Sequence, residues 1–310
     1  MEEQTFQTLL QEKTLAIEEI IKGYLPEETG YQKTVLEAMN YSVVAGGKRL
    51  RPMLLQETYR MFGGRDRIAE PFMAAIEMIH TYSLVHDDLP SMDNDEYRRG
   101  RKTTWAVYGD AMGILAGDGL LNFAFETALK AFSMETGSAE SGTSAGRLQK
   151  LAEALNVLAR KSGVYGMIGG QTADIEAEER ETELSTEQIL FIHEHKTAAL
   201  IQAAMMVGAI LAGAEEAQVK AIEKCAYNIG IAFQIQDDVL DVIGDSKELG
   251  KEIGSDAQNH KQTYVTINGL KQSQEDVDRL SREAVELLNC FDGEHAFLEQ
   301  LILNLIHRTK

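Results

Sequence analysis

An all-α bundle of about ten or more helices is the architecture this sequence predicts. Only 4 prolines occur in 310 residues, where an ordinary chain has about 5%, so long helices can run without the residue that breaks them. Apolar side chains recur at spacings of three, four and seven, the period of one helix face. No segment alternates apolar and polar residues as a half-buried strand would.

Phe6, Leu9, Leu10, Ile17, Ile20 and Ile21 open the helical pattern. Further helices are expected at residues 32–45, 50–62, 67–88, 105–131, 147–165, 186–212, 216–242, 262–288 and 294–307, with boundaries good to a few residues. Ser133 to Gly146 is small and polar and reads as a surface loop. A second polar stretch follows Asp241; from Gly244 to Lys261 it is rich in Gly and Lys and suits a lid. No linker and no repeat of fixed period appears, so residues 1–310 are expected to form one domain.

Lys and Arg number 30 against 49 Asp and Glu, a net charge of −19. That excess speaks against nucleic acid or an anionic membrane surface as a partner. Hydrophobic residues make up 44%, and a chain this long can bury roughly three quarters of its unfolded surface, which excludes general disorder. Cys225 and Cys290 lie far apart and in no metal or redox spacing. With no basic and apolar leader in MEEQTFQTLLQEK, a cytoplasmic protein is expected. Ala198 to Ala214 is apolar except for Gln202; its wealth of Ala and Gly points to a closely packed core helix and not to membrane insertion.

Two acidic segments stand out from this background. In HTYSLVHDDLPSMDNDEYRR (His80 to Arg99), apolar Ile68, Phe72, Ile76 and Ile79 lead in at core spacing, and His80, Ser83 and Asp87 continue one stripe. Asp93 lies six residues beyond Asp87, about 120° away on a regular helix, so both can serve one site only if the helix breaks. Pro90 supplies the break. In FQIQDDVLD, Gln234, Asp237, Asp238 and Asp241 share a stripe of an otherwise apolar helix. Carboxylates facing an interior repel unless neutralised, and their all-oxygen character selects a hard cation such as Mg²⁺. Mg²⁺ prefers one or two carboxylates plus phosphate oxygens, so two acidic walls suggest a diphosphate held between them. The plainer alternative is a helix cap and a solvated face.

A diphosphate also needs cations. GGKRLRP (Gly46 to Pro52) places Lys48, Arg49 and Arg51 at a helix start, where amide groups and the helix dipole favour anions. It is not the phosphate loop GxxxxGK[ST]. Arg98, Arg99, Lys196, Lys251 and Lys261 are further candidates, each of which could also be an ordinary surface base.

With DDLPSMD (Asp87 to Asp93), DDVLD (Asp237 to Asp241), GGKRLRP, GGQTADIEAE (Gly169 to Glu178), HKT (His195 to Thr197), GKEIGSD (Gly250 to Asp256) and HKQTY (His260 to Tyr264) in this order, the chain resembles the trans-isoprenyl diphosphate synthases, particularly bacterial farnesyl diphosphate synthases. The resemblance covers about residues 30 to 270. It implies the isoprenoid synthase fold, a helical bundle around a large central cavity, and a homodimer. It implies head-to-tail condensation of isopentenyl diphosphate with dimethylallyl or geranyl diphosphate. Asp87 and Asp93 match ligands of two Mg²⁺ ions and Asp237 a ligand of a third, with Mn²⁺ a possible substitute; Asp88, Asp238 and Asp241 match supporting residues. Arg98, Lys196, Lys251 and Lys261, with Thr197 and Gln234 beside them, match contacts to the allylic diphosphate. Lys48, Arg51, His80 and Arg99 match the isopentenyl diphosphate site, and Gln171 and Asp174 the cavity lining. Tyr82 and Ser83 match the positions that limit chain length, so a tyrosine there implies farnesyl diphosphate as product. His193, Trp105 and both cysteines are left with structural roles.

A geranylgeranyl diphosphate synthase is the nearest alternative. A class I terpene cyclase would lack the isopentenyl site, and a non-catalytic synthase subunit would have lost an aspartate motif; Lys48, Arg51, His80 and both motifs are present.

Overall fold

The computed structural model describes residues 2–137, 145–178, 183–243 and 262–306. Most of them are helical, in the order α1 (Glu3–Tyr24), α2 (Lys33–Val43), α3 (Leu50–Met61), a 3₁₀ turn (Arg67–Ala69), α4 (Glu70–Asp87), a hairpin of β1 (Tyr97–Arg98) and β2 (Arg101–Lys102), then α5 (Thr104–Tyr108), α6 (Asp110–Gly137), α7 (Ala145–Ser162) and α8 (Met167–Glu178). There follow α9 (Thr186–Ile192), a π-helical turn (His193–Ala198), α10 (Ala199–Leu211), α11 (Glu216–Ile243), α12 (Tyr264–Asn268), α13 (Leu270–Leu288) and α14 (Ala296–Ile306).

The contacts divide the chain into two units, one of residues 2–56 with 65–155, the other of 57–64 with 156 onward. In the first, α4 is the central helix: Phe72, Met73, Ile76, Met78 and Ile79 are fully buried, and α1, α2 and α6 pack against it. Each such side chain contributes about 1.5–3 kcal/mol of burial. In the second unit α11 packs against α10, α13 and α14. The apolar stretch from Ala198 forms α10, 13 residues long and almost wholly buried. Among the described residues, no helix is long and apolar enough to cross a membrane.

The helices differ from expectation where periodicity carries no information. The stretch expected at 105–131 is two helices, separated at Gly109 (φ 87°), and the one at 262–288 is likewise separated at Gly269 (φ 79°). Each glycine ends a five-residue helix in a left-handed conformation that other residues rarely adopt. Both short helices follow a threonine with extended backbone, Thr103 and Thr263. The stretch at 186–212 is continuous helix but contains the π turn, and α8 was not anticipated, since Gly169 and Gly170 lower helix propensity. No strand was expected either. The β hairpin turns through Arg99 (φ 53°) and Gly100 (φ 74°), the positive-φ pair of a two-residue hairpin turn.

Candidate active site

In the first unit α4 carries its stripe to Asp87 and stops there. Pro90, with no N–H to donate, prevents continuation. The chain then folds back on the helix end: the amide of Asp93 donates to the Asp87 carbonyl at 2.8 Å, that of Asn94 to Leu89 at 3.0 Å and that of Asp95 to Asp88 at 3.1 Å. Asn94 takes a φ of 55° to make this turn. The helix break therefore occurs where the sequence required it, and it brings Asp93 back to Asp87. Thr103 and Trp105 then fasten the returning loop, donating from Oγ1 and Nε1 to the Asp95 carbonyl at 2.8 and 2.9 Å.

A basic pocket adjoins this turn. His80, Asp88, Arg98, Arg99, Gly46 and Tyr41 are among its lining residues. Arg98 donates from Nε to Asp88 at 2.6 Å and lies 3.6 Å from Asp95. Burial pushes the Asp88 carboxyl above its ordinary range, and Arg98 opposes the shift. Arg99 donates to the Gly46 carbonyl, holding its own left-handed backbone in place. Around His80, burial first and then the field of Arg51, Arg99, Arg49 and Arg98 keep the imidazole well below its ordinary value of 6.5, so it is neutral at pH 7. The Arg51 Nε is buried without a hydrogen-bond partner. Positive charge concentrated around a neutral histidine, in a chain of net charge −19, is a site for an anion.

Of the three bases in GGKRLRP, Arg49 has a structural role. It is buried, donates to Glu77 and to the Val43 carbonyl, both at 2.8 Å, and has Glu18 at 3.5 Å. Lys48 is exposed and Arg51 half-buried. One turn before Asp87, Tyr82 is buried and Ser83 half-buried. Burial, with Asp87 adding to it, pushes the Tyr82 hydroxyl up to about 12. Ser83 Oγ donates to the His80 carbonyl at 2.9 Å.

In the second unit α11 presents Gln234, Asp237, Asp238 and Asp241, all half-buried. Gln234 donates to Asp237 at 3.5 Å. Asp238 accepts from the Tyr264 amide at 2.8 Å and has His193 Nε2 at 3.7 Å. The π turn bears Lys196 and Thr197, and Lys196 donates to Asp174 of α8 at 2.5 Å. A π turn adds a residue to the helix and commonly marks a functional site. Glycine lets its neighbours approach: a Cβ on Gly170 would lie 2.0 Å from the Lys196 nitrogen, and one on Gly230 2.2 Å from the Ala198 Cβ. Gln171 is half-buried beside Asp174, which is buried.

Lys251 and Lys261, with the stretch expected as a lid, lie outside the described residues. Sequence reasoning missed Tyr264 as a partner of the second aspartate motif, and it missed Glu77. Tyr264 stands in the quoted HKQTY motif, but nothing in its spacing shows that its amide faces Asp238. Its hydroxyl donates to Asp276 at 3.0 Å. His193, assigned a structural role, is buried beside Asp238.

Among the described residues, no three His, Cys, Asp or Glu side chains gather closely enough to form a cation cage. The donors are nevertheless of the kind Mg²⁺ takes: carboxylate oxygens, few in each unit, with Asp87 and Asp93 joined through the backbone turn. The residues fit the ion, which would take further oxygen ligands from a bound phosphate.

Comparison with known proteins shows the family. The family model described as polyprenyl synthetase matches residues 32–290. A chloroplastic geranylgeranyl pyrophosphate synthase of Catharanthus roseus is 44% identical over 260 residues, 84% of this chain and 70% of that protein. A farnesyl diphosphate synthase of Geobacillus stearothermophilus is 41% identical over 275 residues, 89% of this chain and 88% of that protein. Among solved structures, geranylgeranyl pyrophosphate synthetase from Pyrococcus horikoshii superposes with a TM-score of 0.84 at 31% identity, covering 98% of this chain and 99% of that one.

Proposed function

Since the chain belongs to the polyprenyl synthetase family, we propose that it joins isopentenyl diphosphate head-to-tail to dimethylallyl and then geranyl diphosphate, and stops at farnesyl diphosphate. The observation that carries the proposal is the pocket lined by His80, Arg98 and Arg99, where burial and the field of the nearby guanidinium groups keep His80 neutral, next to the turn that joins Asp93 to Asp87.

Lys48, Arg51, His80 and Arg99 bind isopentenyl diphosphate without a metal. The allylic diphosphate is bound by Arg98, Lys196, Thr197 and Gln234, with Lys251 and Lys261 added from the polar segment. Asp87, Asp93 and Asp237 would hold Mg²⁺, which when bound supplies the positive charge that stabilises the departing diphosphate. Asp88, Asp238 and Asp241 position those carboxylates. As the allylic C–O bond ionises, the cationic side chains face the charge that develops on the leaving group, so they bind the transition state more tightly than the ground state. The double bond of isopentenyl diphosphate attacks the allylic cation. A proton then leaves the new chain for the released diphosphate, the strongest base at hand. Gln171 and Asp174 line the cavity that keeps water from the cation.

Tyr82 supports farnesyl diphosphate as the end point. It is buried one turn before Asp87, where a growing chain extends away from the diphosphate, and a tyrosine ring in a packed interior yields little space. Geranylgeranyl diphosphate is the competing product, on the likeness to synthases that make it. Exposed Ile114, Leu115 and Leu129 on α6 support a second copy as partner.

The test incubates the purified protein with Mg²⁺, isopentenyl diphosphate and each allylic diphosphate in turn, and identifies the products by chromatography. Farnesyl diphosphate is expected. Absence of any condensation overturns the activity, and geranylgeranyl diphosphate overturns the chain length alone.

A further inference from the structure

We propose that His86 sets the length of the product by fixing the ring of Tyr82, a role that rests on Tyr82 being the floor of the chain cavity. His86 stands one turn after Tyr82 on α4, and the two rings meet edge to face, centroids 5.8 Å apart at 84°. Tyr82 is buried, yet a ring in a cavity wall that yields under a growing chain makes no sharp stop. Its neighbour must be immobile as well, and His86 is anchored on its far side. Its Nε2 lies 3.0 Å from the Ile114 carbonyl of α6. A carbonyl can only accept, so the proton is on Nε2 and the ring has one orientation. Asp118 lies 3.8 Å from the same nitrogen.

Gly117 makes this anchoring possible. A Cβ there would lie 2.0 Å from His86 Nε2 and 2.2 Å from Cδ2, so the imidazole fills the space beside α6 that a side chain at position 117 would take. The α6 backbone, the His86 ring and the Tyr82 ring thus stand in contact in series. His86 is a positioning residue: it acts on the product through Tyr82.

Six variants decide the matter, each scored by the distribution of product lengths as well as by turnover. His86→Ala removes the support, and a several-fold rise in the share of product one five-carbon unit longer is expected. His86→Phe keeps a ring against Tyr82 but loses the Nε2–H that anchors it to the Ile114 carbonyl, so the parent distribution should return only in part. Tyr82→Ala lengthens the product directly, and adding His86→Ala to it should lengthen it no further, because the second residue acts only through the first. Should His86→Ala fail to fold, Gly117→Ala, which displaces the ring from α6, must also redistribute products. Gly113→Ala must not, since its Cβ would meet Leu89 and Trp105 instead. An unchanged distribution in His86→Ala beside a lengthened one in Tyr82→Ala overturns the role of His86 and leaves the floor standing. An unchanged distribution in folded, active Tyr82→Ala overturns both. Lower turnover in the His86 variants at constant product length reduces His86 to packing and overturns the proposal.

Discussion

The amide of Asp93 hydrogen-bonds to the carbonyl of Asp87 at 2.8 Å. On an unbroken helix the two aspartates would face directions about 120° apart. Ending α4 at Asp87 and returning the chain through Asn94, with its φ of 55°, converts a sequence spacing unsuited to a shared site into a turn with both residues at one helix end. Left-handed residues of this kind cost about 1 kcal/mol or more, and Arg49 and Arg99 adopt the same conformation beside the basic pocket.

Removing one charge from either aspartate motif should disable the enzyme without unfolding it. Asp87→Asn and Asp237→Asn are expected to lower kcat/KM by orders of magnitude, while far-UV circular dichroism keeps its helical signal. Near-normal turnover in both variants refutes their assignment to Mg²⁺.

In the proposed function the two diphosphates are read by different residues. Arg51→Ala and His80→Ala should raise the KM for isopentenyl diphosphate more than that for geranyl diphosphate. Steady-state kinetics with each substrate varied in turn measures the ratio, and a larger effect on the allylic KM exchanges the sites.

His80 should make the protein sensitive to acid. Its imidazole is held well below 6.5 in the folded state by burial and by the surrounding guanidinium groups, whereas in the unfolded chain it titrates near the ordinary value. Above that value it is neutral in both states and contributes nothing. As pH falls through about 6.5 the unfolded state gains the proton first, so stability is lost down to the folded-state value. Urea midpoints measured across this range should fall less steeply for His80→Gln than for the parent; parallel curves contradict the burial effect.

Close approach at the π turn predicts two costly glycine replacements and one harmless one. Gly170→Ala and Gly230→Ala place a methyl 2.0 and 2.2 Å from neighbouring atoms and should each destabilise by about 1–3 kcal/mol through overpacking. Gly23→Ala, in α1 with nothing within 4 Å, should stabilise by about 0.5–1 kcal/mol. Thermal unfolding of the three variants makes the comparison, and equal shifts would show that the approach is not tight.

Bulk added beside Tyr82 should shorten the product. Ser83 is half-buried and lies on the same stripe as Asp87, so Ser83→Phe is expected to stop synthesis at geranyl diphosphate. Chromatography of the product checks this, and unchanged chain length places Ser83 outside the growing chain's path.

Much of this protein is determined by its sequence alone. Helix period and the scarcity of proline dictated α-helices, because side-chain burial and backbone hydrogen bonding are local properties repeated every turn. DDLPSMD and DDVLD revealed the candidate chemistry, since carboxylates within apolar helices demand a counter-charge wherever the helices lie. Only the tertiary structure decided which charges pair. Arg49 and Arg51 are two residues apart, yet Arg49 is bound to Glu77, which is 28 positions away, and the Arg51 Nε is buried without a hydrogen-bond partner. Lys196 meets Asp174 because Gly170 allows two backbones within contact distance. The π turn and the breaks at Gly109 and Gly269 were equally hidden, for apolar periodicity continues through each of them. Long-range pairing and local backbone twist depend on what packs opposite, and a linear pattern of residue types does not contain that information.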